Sequence, residues 1–337
     1  MNRLSVDACT MDVHRSTRTY VALCPAKLNL FFEVLEKRAD GYHEVLTCVC
    51  PIQMYDTLWF RPAPHGELHF SCRWVTTFPP DFSPGDLPPI EENLAYKALQ
   101  SLRRRTQVEK GAEVVLIKRV PSGSGLGGAS SDAAAALLLG NIGWGLELSL
   151  DELQELAAEL GSDVPLFFAD GLAVCRGRGE KVSPLGYLPL YFVVVRPPAA
   201  LATAQMYRYI QVPPHPRSVE PLVSAMRSGR WDKVGRSLFN RFQEVAADHC
   251  SWIKKLQDAF GRLDLLGHGM TGSGTAYFGL CRSAIHARWV AGKLRQQRLG
   301  LVWAGRSARG FACWVEESSH GDYRGADQAR GGGRGKT

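Results

Sequence analysis

The sequence predicts a mixed α/β (α+β) protein of two domains, and three features of the chain predict it. Its 337 residues, 45% of them hydrophobic, are enough to bury a sizeable core and to form two domains. Strand-like and helix-like stretches alternate along most of the chain. A glycine-rich loop joins one of these strands to one of these helices. We therefore expect a first domain over residues 19–187 and a second domain over residues 188–316.

The first elements of the chain are β-rich. Residues 1–18 mix charged residues, Ser and Thr without periodicity, and residues 317–337 have almost no aliphatic side chains, so we expect both to be disordered. Between them the chain begins with strand-like runs and a polar turn at residues 38–43. A proline-rich connector over residues 76–90 can be neither helix nor central strand, and a helical spacing follows it at residues 93–105.

The middle of the chain alternates between stretches with the spacing of a strand and stretches with the spacing of a helix. A strand at residues 112–120 is followed by the glycine loop and by a helix of small residues at 130–139. Ser149 and Glu152 form a capping-box pattern before a helix over residues 150–160. The later elements are strands at residues 164–168, 172–176, 191–195 and 311–315, helices around residues 221–228, 231–260 and 284–299, and a glycine turn at residues 271–274.

Charge and cysteine content argue against several classes of protein. The net charge of +7 is spread along the chain, and its longest basic run, Arg103-Arg104-Arg105, predicts a solvated helix face rather than a nucleic-acid surface. Nine cysteines without a Cys-x-x-Cys pair argue against disulfides and structural zinc. No apolar run approaches the roughly 18 residues of a membrane span. We therefore expect a cytoplasmic monomer or homodimer that binds neither nucleic acid nor membrane.

The loop PSGSGLGGASSDAAAALL at residues 121–138 carries the clearest chemical signal. Its glycines let backbone N–H groups approach an anion, and a phosphate at the start of the following helix is favoured by free N–H groups and by the helix dipole. The alternative is a turn whose glycines only permit tight strand-to-helix packing. Gly123, Gly125 and Gly128 also match a dinucleotide fingerprint, but no acidic residue follows at a strand end about 20 positions later. No P-loop motif is present.

The loop resembles the phosphate-binding motif of the galactokinase, homoserine kinase, mevalonate kinase and phosphomevalonate kinase superfamily. Three further segments are similar to the branch of that superfamily that phosphorylates a cytidine-diphosphate-linked methylerythritol: PAKLNL at residues 25–30 with RADGYH at 38–43, GSDVPLF at 161–167, and MTGSGTA at 270–276. The resemblance covers roughly residues 19 to 315. It implies ATP-dependent transfer of a phosphoryl group to the 2-hydroxyl of that substrate, in the non-mevalonate route to isoprenoid precursors.

The resemblance also implies which residues bind the nucleotide and which act on the hydroxyl. ATP, together with Mg²⁺, would be bound by the loop and by one residue before the preceding helix: Pro121, Ser122, Gly123, Ser124, Gly125, Leu126, Gly127, Gly128, Ala129, Ser130, Ser131 and Asn93. Ser131 is a candidate Mg²⁺ ligand. Lys27 lies in an apolar strand-like segment, where an unpaired ammonium is costly. The resemblance gives Asp163 as its partner, and together they would activate or orient the hydroxyl. A lone Asp before a strand is otherwise an ordinary turn residue.

The cytidine part of the substrate is assigned to aromatic and polar residues on turns. The family uses the positions of Tyr42 and His43 for the base, although taken alone these two residues would predict a packed turn. The second aromatic residue corresponds to Tyr207, and the remaining substrate positions are Asn29, Thr203, Gly272 and Ser273. Two positions depart from the family pattern: Ala129 replaces a usual Gly, and Ala204 replaces the Pro that usually follows Thr203.

The resemblance implies a left-handed β-α-β crossover and an active site in the cleft between the domains, whereas patterning alone would have predicted the right-handed form. Three alternatives remain. A sister kinase for mevalonate-type or homoserine-type alcohols would have no use for the Tyr42–His43 turn, because those substrates carry no base. A catalytically silent homologue is disfavoured by Lys27 and Asp163. A nucleic-acid-binding module would need a concentrated basic patch with interleaved aromatic residues, and the sequence has none.

Overall fold

The computed structural model describes residues 17–75, 78 and 82–318. Most of the two predicted disordered segments, residues 1–16 and 319–337, therefore lies outside the described residues. Thr17 and Arg18 belong to the first strand and Glu317 and Ser318 to the last, so the predicted extension and tail are each two residues too long at their inner ends. No helix among the described residues is long and apolar enough to cross a membrane.

The first of two sheets is built on a long hairpin. Strands β1 (Thr17–Lys37) and β2 (His43–Ala63) pair antiparallel over almost their full length, and the polar turn of residues 38–42 joins them. The described part of this sheet has eight strands, with a main order of β12-β1-β2-β4-β3, while β5 pairs with β2, β6 with β5 and β8 with β1. The remaining six strands are β3 (Leu68–Trp74), β4 (Gly111–Lys118), β5 (Leu172–Arg176), β6 (Lys181–Gly186), β8 (Phe239–Asn240) and β12 (Ala312–Ser318).

Helices α1 (Leu94–Thr106), α2 (Gly128–Trp144) and α3 (Leu150–Leu160) pack with this sheet. Strands β3 and β4 are parallel neighbours and α1 lies between them in sequence, which makes a β-α-β unit. The capping box predicted at the start of α3 is present, because Ser149 and Glu152 bond each other's backbone N–H groups. The prediction of a strand at residues 164–168 is wrong. Pro165 has no N–H to give to a sheet, and Pro165–Phe168 forms a 3₁₀ helix, after the shorter 3₁₀ helix Ile90–Glu92.

The second sheet has four described strands in the order β11-β7-β10-β9, all pairs antiparallel. Its strands are β7 (Tyr191–Arg196), β9 (Gly267–Met270), β10 (Tyr277–Cys281) and β11 (Leu301–Arg306). The helix predicted over residues 231–260 is broken into three by β8 and short turns. The helices of this half are α4 (Thr203–Tyr209), α5 (Glu220–Arg227), α6 (Trp231–Arg236), α7 (Phe242–His249), α8 (Ser251–Gly261) and α9 (Ala284–Gln296).

Strand β1 contributes to all three apolar cores and so ties the halves together. Ala22 and Cys24 lie in the core under α1 and α2, residues 26–31 contribute to a second core shared with β7 and β10, and Phe32 and Val34 lie in a third core with α7, α8 and α9. Strand β12, from the predicted second domain, pairs with β1 in the first sheet. The α/β architecture is confirmed, while the division at residue 187 stays a prediction.

Candidate active site

The glycine loop between β4 and α2 lines a cavity of about 270 Å³. All the predicted loop residues from Pro121 to Ser130 contribute to its wall, and so does Asn93, whose side chain caps α1 by accepting a hydrogen bond from the N–H of Ala95. Ser131 is fully buried and is not part of the wall. The structure thus brings the predicted nucleotide residues together, with Ser131 just behind them.

The backbone of the loop has the shape that the sequence predicts. Gly125 and Gly127 have φ angles of 81° and 71°, a region that residues with a side chain rarely adopt. Gly127 precedes α2, and no side chain in the described part of the chain caps the first N–H groups of that helix. Free N–H groups at the start of a 17-residue helix attract an anion through hydrogen bonds and through the helix dipole. This end of the cavity therefore suits a phosphate group.

A second glycine turn, residues 271–274, packs against the first. A Cβ atom on Gly125 would collide with the backbone oxygen of Thr271, and one on Gly274 would collide with the backbone of Ser124. The N–H of Ala276 donates to the backbone oxygen of Ser124 at 3.1 Å. The two loops come from different sheets, so the site lies where the two halves of the molecule meet.

A buried cluster of charged residues supports the glycine loop from behind. The Nζ atom of Lys118 donates to the carboxylates of Asp56 and Asp132, and all three side chains are almost fully buried. Asp56 also accepts hydrogen bonds from the backbone N–H groups of Arg119 and Val120, immediately before the loop. This cluster therefore fixes the end of β4 against β2 and the first turns of α2.

Burial raises the pKa of Asp132 to about 8, and the neighbouring Asp56 carboxylate acts in the same direction. One ammonium group cannot neutralise two buried carboxylates, so Asp132 retains its proton at a higher pH than usual. The Oδ1 atom of Asp132 and the Oγ atom of Ser131 are buried without a hydrogen-bond partner among the residues that the structure describes. Two orphaned oxygens at the start of α2 are atoms that a bound cation or a donor group can satisfy.

Lys27 and Asp163 lie together beside the loop, as the resemblance implies. The Nζ atom of Lys27 is 3.4 Å from Oδ2 of Asp163 and donates to Oδ1 of Asn29 at 2.6 Å. The Lys27 side chain is 4% exposed, whereas that of Asp163 is 43% exposed. The cation is therefore buried and held in place, while the carboxylate remains accessible to a ligand.

Asn29 connects this pair to both sheets. Its backbone N–H donates to Oγ1 of Thr271 at 2.9 Å, and its side-chain amide donates to Oγ1 of Thr47 at 2.9 Å. The hydroxyl of Thr271 returns a hydrogen bond to the side-chain Oδ1 of Asn29, which fixes the orientation of the amide. Asn29 is almost fully buried, so it positions Lys27 as well as forming part of the predicted substrate site.

Lys27 is also adjacent to the phosphate-binding loop. Its backbone N–H donates to the carbonyl of Leu126 at 2.8 Å. A Cβ atom on Gly127 would lie 2.8 Å from Cγ of Lys27, so only glycine lets the loop approach this closely. The proposed reacting groups are thus immediately next to the place where a phosphate would bind.

Of the predicted base-binding residues, Tyr42 lies at the surface, while His43 and Tyr207 pack against each other. Tyr42 is 54% exposed, and the guanidinium of Arg178 lies 4.9 Å from the centre of its ring. The rings of His43 and Tyr207 are stacked, with centroids 5.0 Å apart. Burial lowers the pKa of His43, and Lys37 adds to that shift, so this imidazole stays neutral at physiological pH. A neutral ring presents both a donor and an acceptor nitrogen.

The remaining predicted substrate residues join the two halves at the rim. Thr203 begins α4, and its hydroxyl is 2.7 Å from the hydroxyl of Ser273. Gly272 lies against Asn29 and the glycine loop, since a Cβ there would be 3.3 Å from both Oδ1 of Asn29 and the backbone oxygen of Gly125. These contacts link Thr203 to Ser273, and Gly272 to Asn29 and the phosphate-binding loop.

Sequence reasoning missed Lys118, Asp56 and Arg178. The absence of a P-loop lysine indicated that another lysine must serve the phosphates, and Lys118, which ends β4 and lines the cavity, is a candidate. Asp56 is a lone carboxylate in a mainly apolar strand, a pattern that signals a buried partner. Arg178 had no sequence signal beyond its place in the turn between two short strands.

Known kinases match both halves of the chain. The GHMP kinases N terminal domain matches residues 93–171, and the GHMP kinases C terminal domain matches residues 222–298. A 4-diphosphocytidyl-2-C-methyl-D-erythritol kinase from Pelotomaculum thermopropionicum is 37% identical over 278 residues, which cover 82% of this chain and 93% of that protein. A kinase of the same name from Rhodopirellula baltica is 37% identical, and the matched region covers 83% of this chain and 92% of that protein.

Solved structures give the same picture. A crystal structure of 4-(cytidine 5'-diphospho)-2C-methyl-D-erythritol kinase aligns with a TM-score of 0.70 and 34% identity, covering 86% of this chain and 99% of that one. The mevalonate kinase of L. major aligns with a TM-score of 0.63 over 85% of this chain and 95% of its own. It is only 18% identical, so that likeness concerns the fold alone.

Proposed function

The chain belongs to the family of 4-diphosphocytidyl-2-C-methyl-D-erythritol kinases, and we propose that it transfers the γ-phosphoryl group of ATP to the 2-hydroxyl of 4-diphosphocytidyl-2-C-methyl-D-erythritol. It is an ATP-dependent kinase of the GHMP type. The observation that carries the proposal is the position of Lys27, which lies directly beside Gly127 of the phosphate-binding loop and 3.4 Å from Asp163. The sister-kinase alternatives are not favoured, because the relatives of highest identity reported above carry the cytidine-substrate name.

In the proposed reaction the 2-hydroxyl oxygen attacks the γ-phosphorus, and the bond from that phosphorus to the β–γ bridging oxygen breaks. ADP leaves with the bridging oxygen. The exposed Asp163 carboxylate accepts or orients the hydroxyl proton, and the buried Lys27 ammonium holds Asp163 in place and stabilises the negative charge near the transferred group. The free N–H groups at the start of α2 hold the phosphates in position for the transfer.

The site also fits a magnesium ion that enters with ATP. Mg²⁺ prefers oxygen ligands and usually keeps phosphate oxygens and waters, so one or two protein oxygens suffice. Among the described residues, Asp132 Oδ1 on the cavity wall and Ser131 Oγ just behind it have no hydrogen-bond partner, and they would be the candidates. Mg²⁺ would supply charge neutralisation on the phosphates.

The experiment is the measurement of product and rate with the wild-type protein and with Asp163→Asn. Wild type should form ADP and a product with one new phosphate monoester by phosphorus NMR. Asp163→Asn keeps the size of the side chain but removes the base, so kcat should fall about 10²- to 10⁴-fold. Asp170→Asn is the matched control, because Asp170 is an exposed aspartate paired with Arg309 on the surface, and its kcat should equal that of wild type.

Lys27→Met tests whether the pair acts as one unit. Its loss of kcat should be comparable to that of Asp163→Asn, and the double variant should be scarcely slower than either single variant, because the effects of groups that act together are not additive. A wild type that forms no such product would overturn the function. An Asp163→Asn variant that keeps most of its activity would overturn the mechanism and leave the function standing.

A further inference from the structure

Arg178 lies between the Tyr42 turn and Asp163, at the tip of the hairpin that joins β5 to β6. The hairpin tip is tied to the strand that follows Tyr42. The backbone N–H of Gly177 donates to Oε1 of Glu44 at 2.9 Å, and the N–H of Val45 donates to the carbonyl of Gly177 at 2.7 Å. These bonds fix the base of the Arg178 side chain relative to the predicted base-binding turn.

The other side of the same tip faces the reacting groups. Gly179 packs beside Asp163, since a Cβ atom on it would lie 3.6 Å from Oδ1 of that carboxylate. A molecule that extends from the Tyr42 ring to Asp163 would run alongside the hairpin tip that carries Arg178. In the proposed substrate, the group that connects the base and ribose to the reacting sugar alcohol is a diphosphate.

The guanidinium of Arg178 has no ion-pair partner among the residues that the structure describes. The carboxylates around it are already engaged. Glu180 accepts the backbone N–H of Arg178 at 2.6 Å, and Asp40 is bonded by Arg38 and by the N–H of Tyr42. The hydrogen bonds from Arg38 lower the pKa of Asp40 most, and the charge of Arg178 makes a smaller contribution.

Stacking on Tyr42 leaves the donors of Arg178 available. A guanidinium that lies over a ring uses its flat face, while its N–H bonds point outward in its own plane. That planar fork matches the oxygens of phosphate groups. The neighbouring ammonium groups lie beside the glycine loop and pair with carboxylates, Lys27 with Asp163 and Lys118 with Asp56 and Asp132.

We propose that Arg178 binds the diphosphate of the cytidine substrate and so sets the specificity for a nucleoside diphosphate over a nucleoside. This inference rests on the proposed function, because the diphosphate belongs to the substrate proposed there. It assigns recognition of the base to Tyr42 and recognition of the linking phosphates to Arg178, both on elements fixed by Glu44.

The test compares Arg178→Met with Arg176→Met in binding and in turnover. Arg176 ends β5 on the same hairpin but is exposed, so it serves as the matched control. Binding of cytidine 5'-diphosphate and of cytidine is measured by calorimetry, which does not require turnover. Arg178→Met should weaken cytidine 5'-diphosphate about 10- to 100-fold, the usual worth of hydrogen bonds to a charged group, and leave cytidine unchanged within about threefold. Arg176→Met should match wild type for both ligands.

Turnover gives a second readout. The KM for the cytidine substrate should rise by the same factor in Arg178→Met, the KM for ATP should stay unchanged, and Arg178→Lys should recover part of the loss because it keeps the charge. An equal loss for cytidine and its diphosphate would overturn the proposal and leave Arg178 as a support for the Tyr42 ring. Unchanged binding of both ligands would also overturn it. Failure of the proposed function itself is recognised separately, by a wild type that does not phosphorylate the substrate.

Discussion

The wall behind the glycine loop and the turn that carries Tyr42 are built in opposite ways. Behind the loop, Lys118 is enclosed with two carboxylates, and backbone atoms of two glycine turns touch each other. At the Tyr42 turn, the ring is half exposed and an arginine without an ion-pair partner among the described residues lies over it. We therefore expect a phosphate to be recognised by backbone held in a fixed shape, and a base by side chains at the surface. Substitutions on the first side should cost stability, and those on the second should cost affinity.

The largest effect in this comparison is expected at Lys118. Lys118→Met leaves Asp56 and Asp132 buried without a cation, so the free energy of unfolding should fall by about 3–5 kcal/mol. Urea denaturation of the variant and the wild type measures it. The control is Arg61→Met, which breaks an exposed ion pair with Glu113 and should cost about 0–1 kcal/mol. If both variants lose the same free energy of unfolding, the buried cluster stabilises the protein no more than an exposed ion pair does, and the comparison fails on this side.

The next effect is expected at the exposed turn. Tyr42→Ala should weaken binding of cytidine 5'-diphosphate by about 1–3 kcal/mol if a base stacks on the ring, and should leave the thermal midpoint close to that of wild type because the side chain is half exposed. Calorimetry and thermal denaturation measure the two quantities. A lowered midpoint with unchanged affinity would show that Tyr42 only packs the turn, and the comparison would fail on this side.

The smallest effect is expected at the rim, where the two regions meet. Thr203→Val removes the hydroxyl that bonds Ser273 but keeps the shape of the side chain. This bond lies within the protein and contributes about 0.5–1.5 kcal/mol, so the free energy of unfolding should fall by no more than that, and the KM for the cytidine substrate should rise less than in Tyr42→Ala. Ser228→Ala, which removes a hydroxyl at the end of α5, is the control for a polar substitution with no role in binding. If Ser228→Ala changes the KM for the cytidine substrate more than Thr203→Val does, the effect of Thr203→Val cannot be assigned to the rim.

The sequence predicts the glycine loop well because every part of that feature is local. A strand, four glycines and a helix follow one another in the chain, and the structure places the residues from Pro121 to Ser130 around one cavity. The capping box at Ser149 is predictable for the same reason. Lys27 and Asp163 lie far apart in sequence, and only the resemblance to a known family brought them together before the structure did so.

The features that were missed depend on contacts that no short pattern contains. Asp56, Lys118 and Asp132 come from β2, β4 and α2, and their pairing requires the order of the strands to be known. The apolar run at residues 164–168 fits a strand by composition, but Pro165 and the preceding turn at Gly161 favour a 3₁₀ helix. The pairing of β12 with β1 lies equally beyond local reasoning, because the paired residues are about 300 positions apart.

That last pairing has a consequence for how the protein is made. A ribosome releases the chain from its amino end, so β1 emerges long before residues 312–318 have been synthesised. Until then the edge of β1 over residues 17–23 has no partner strand, and an unpaired apolar edge invites pairing with another chain. We therefore expect the nascent protein to be open to such pairing until its final strand arrives, and a fragment that stops before residue 312 to keep this edge exposed.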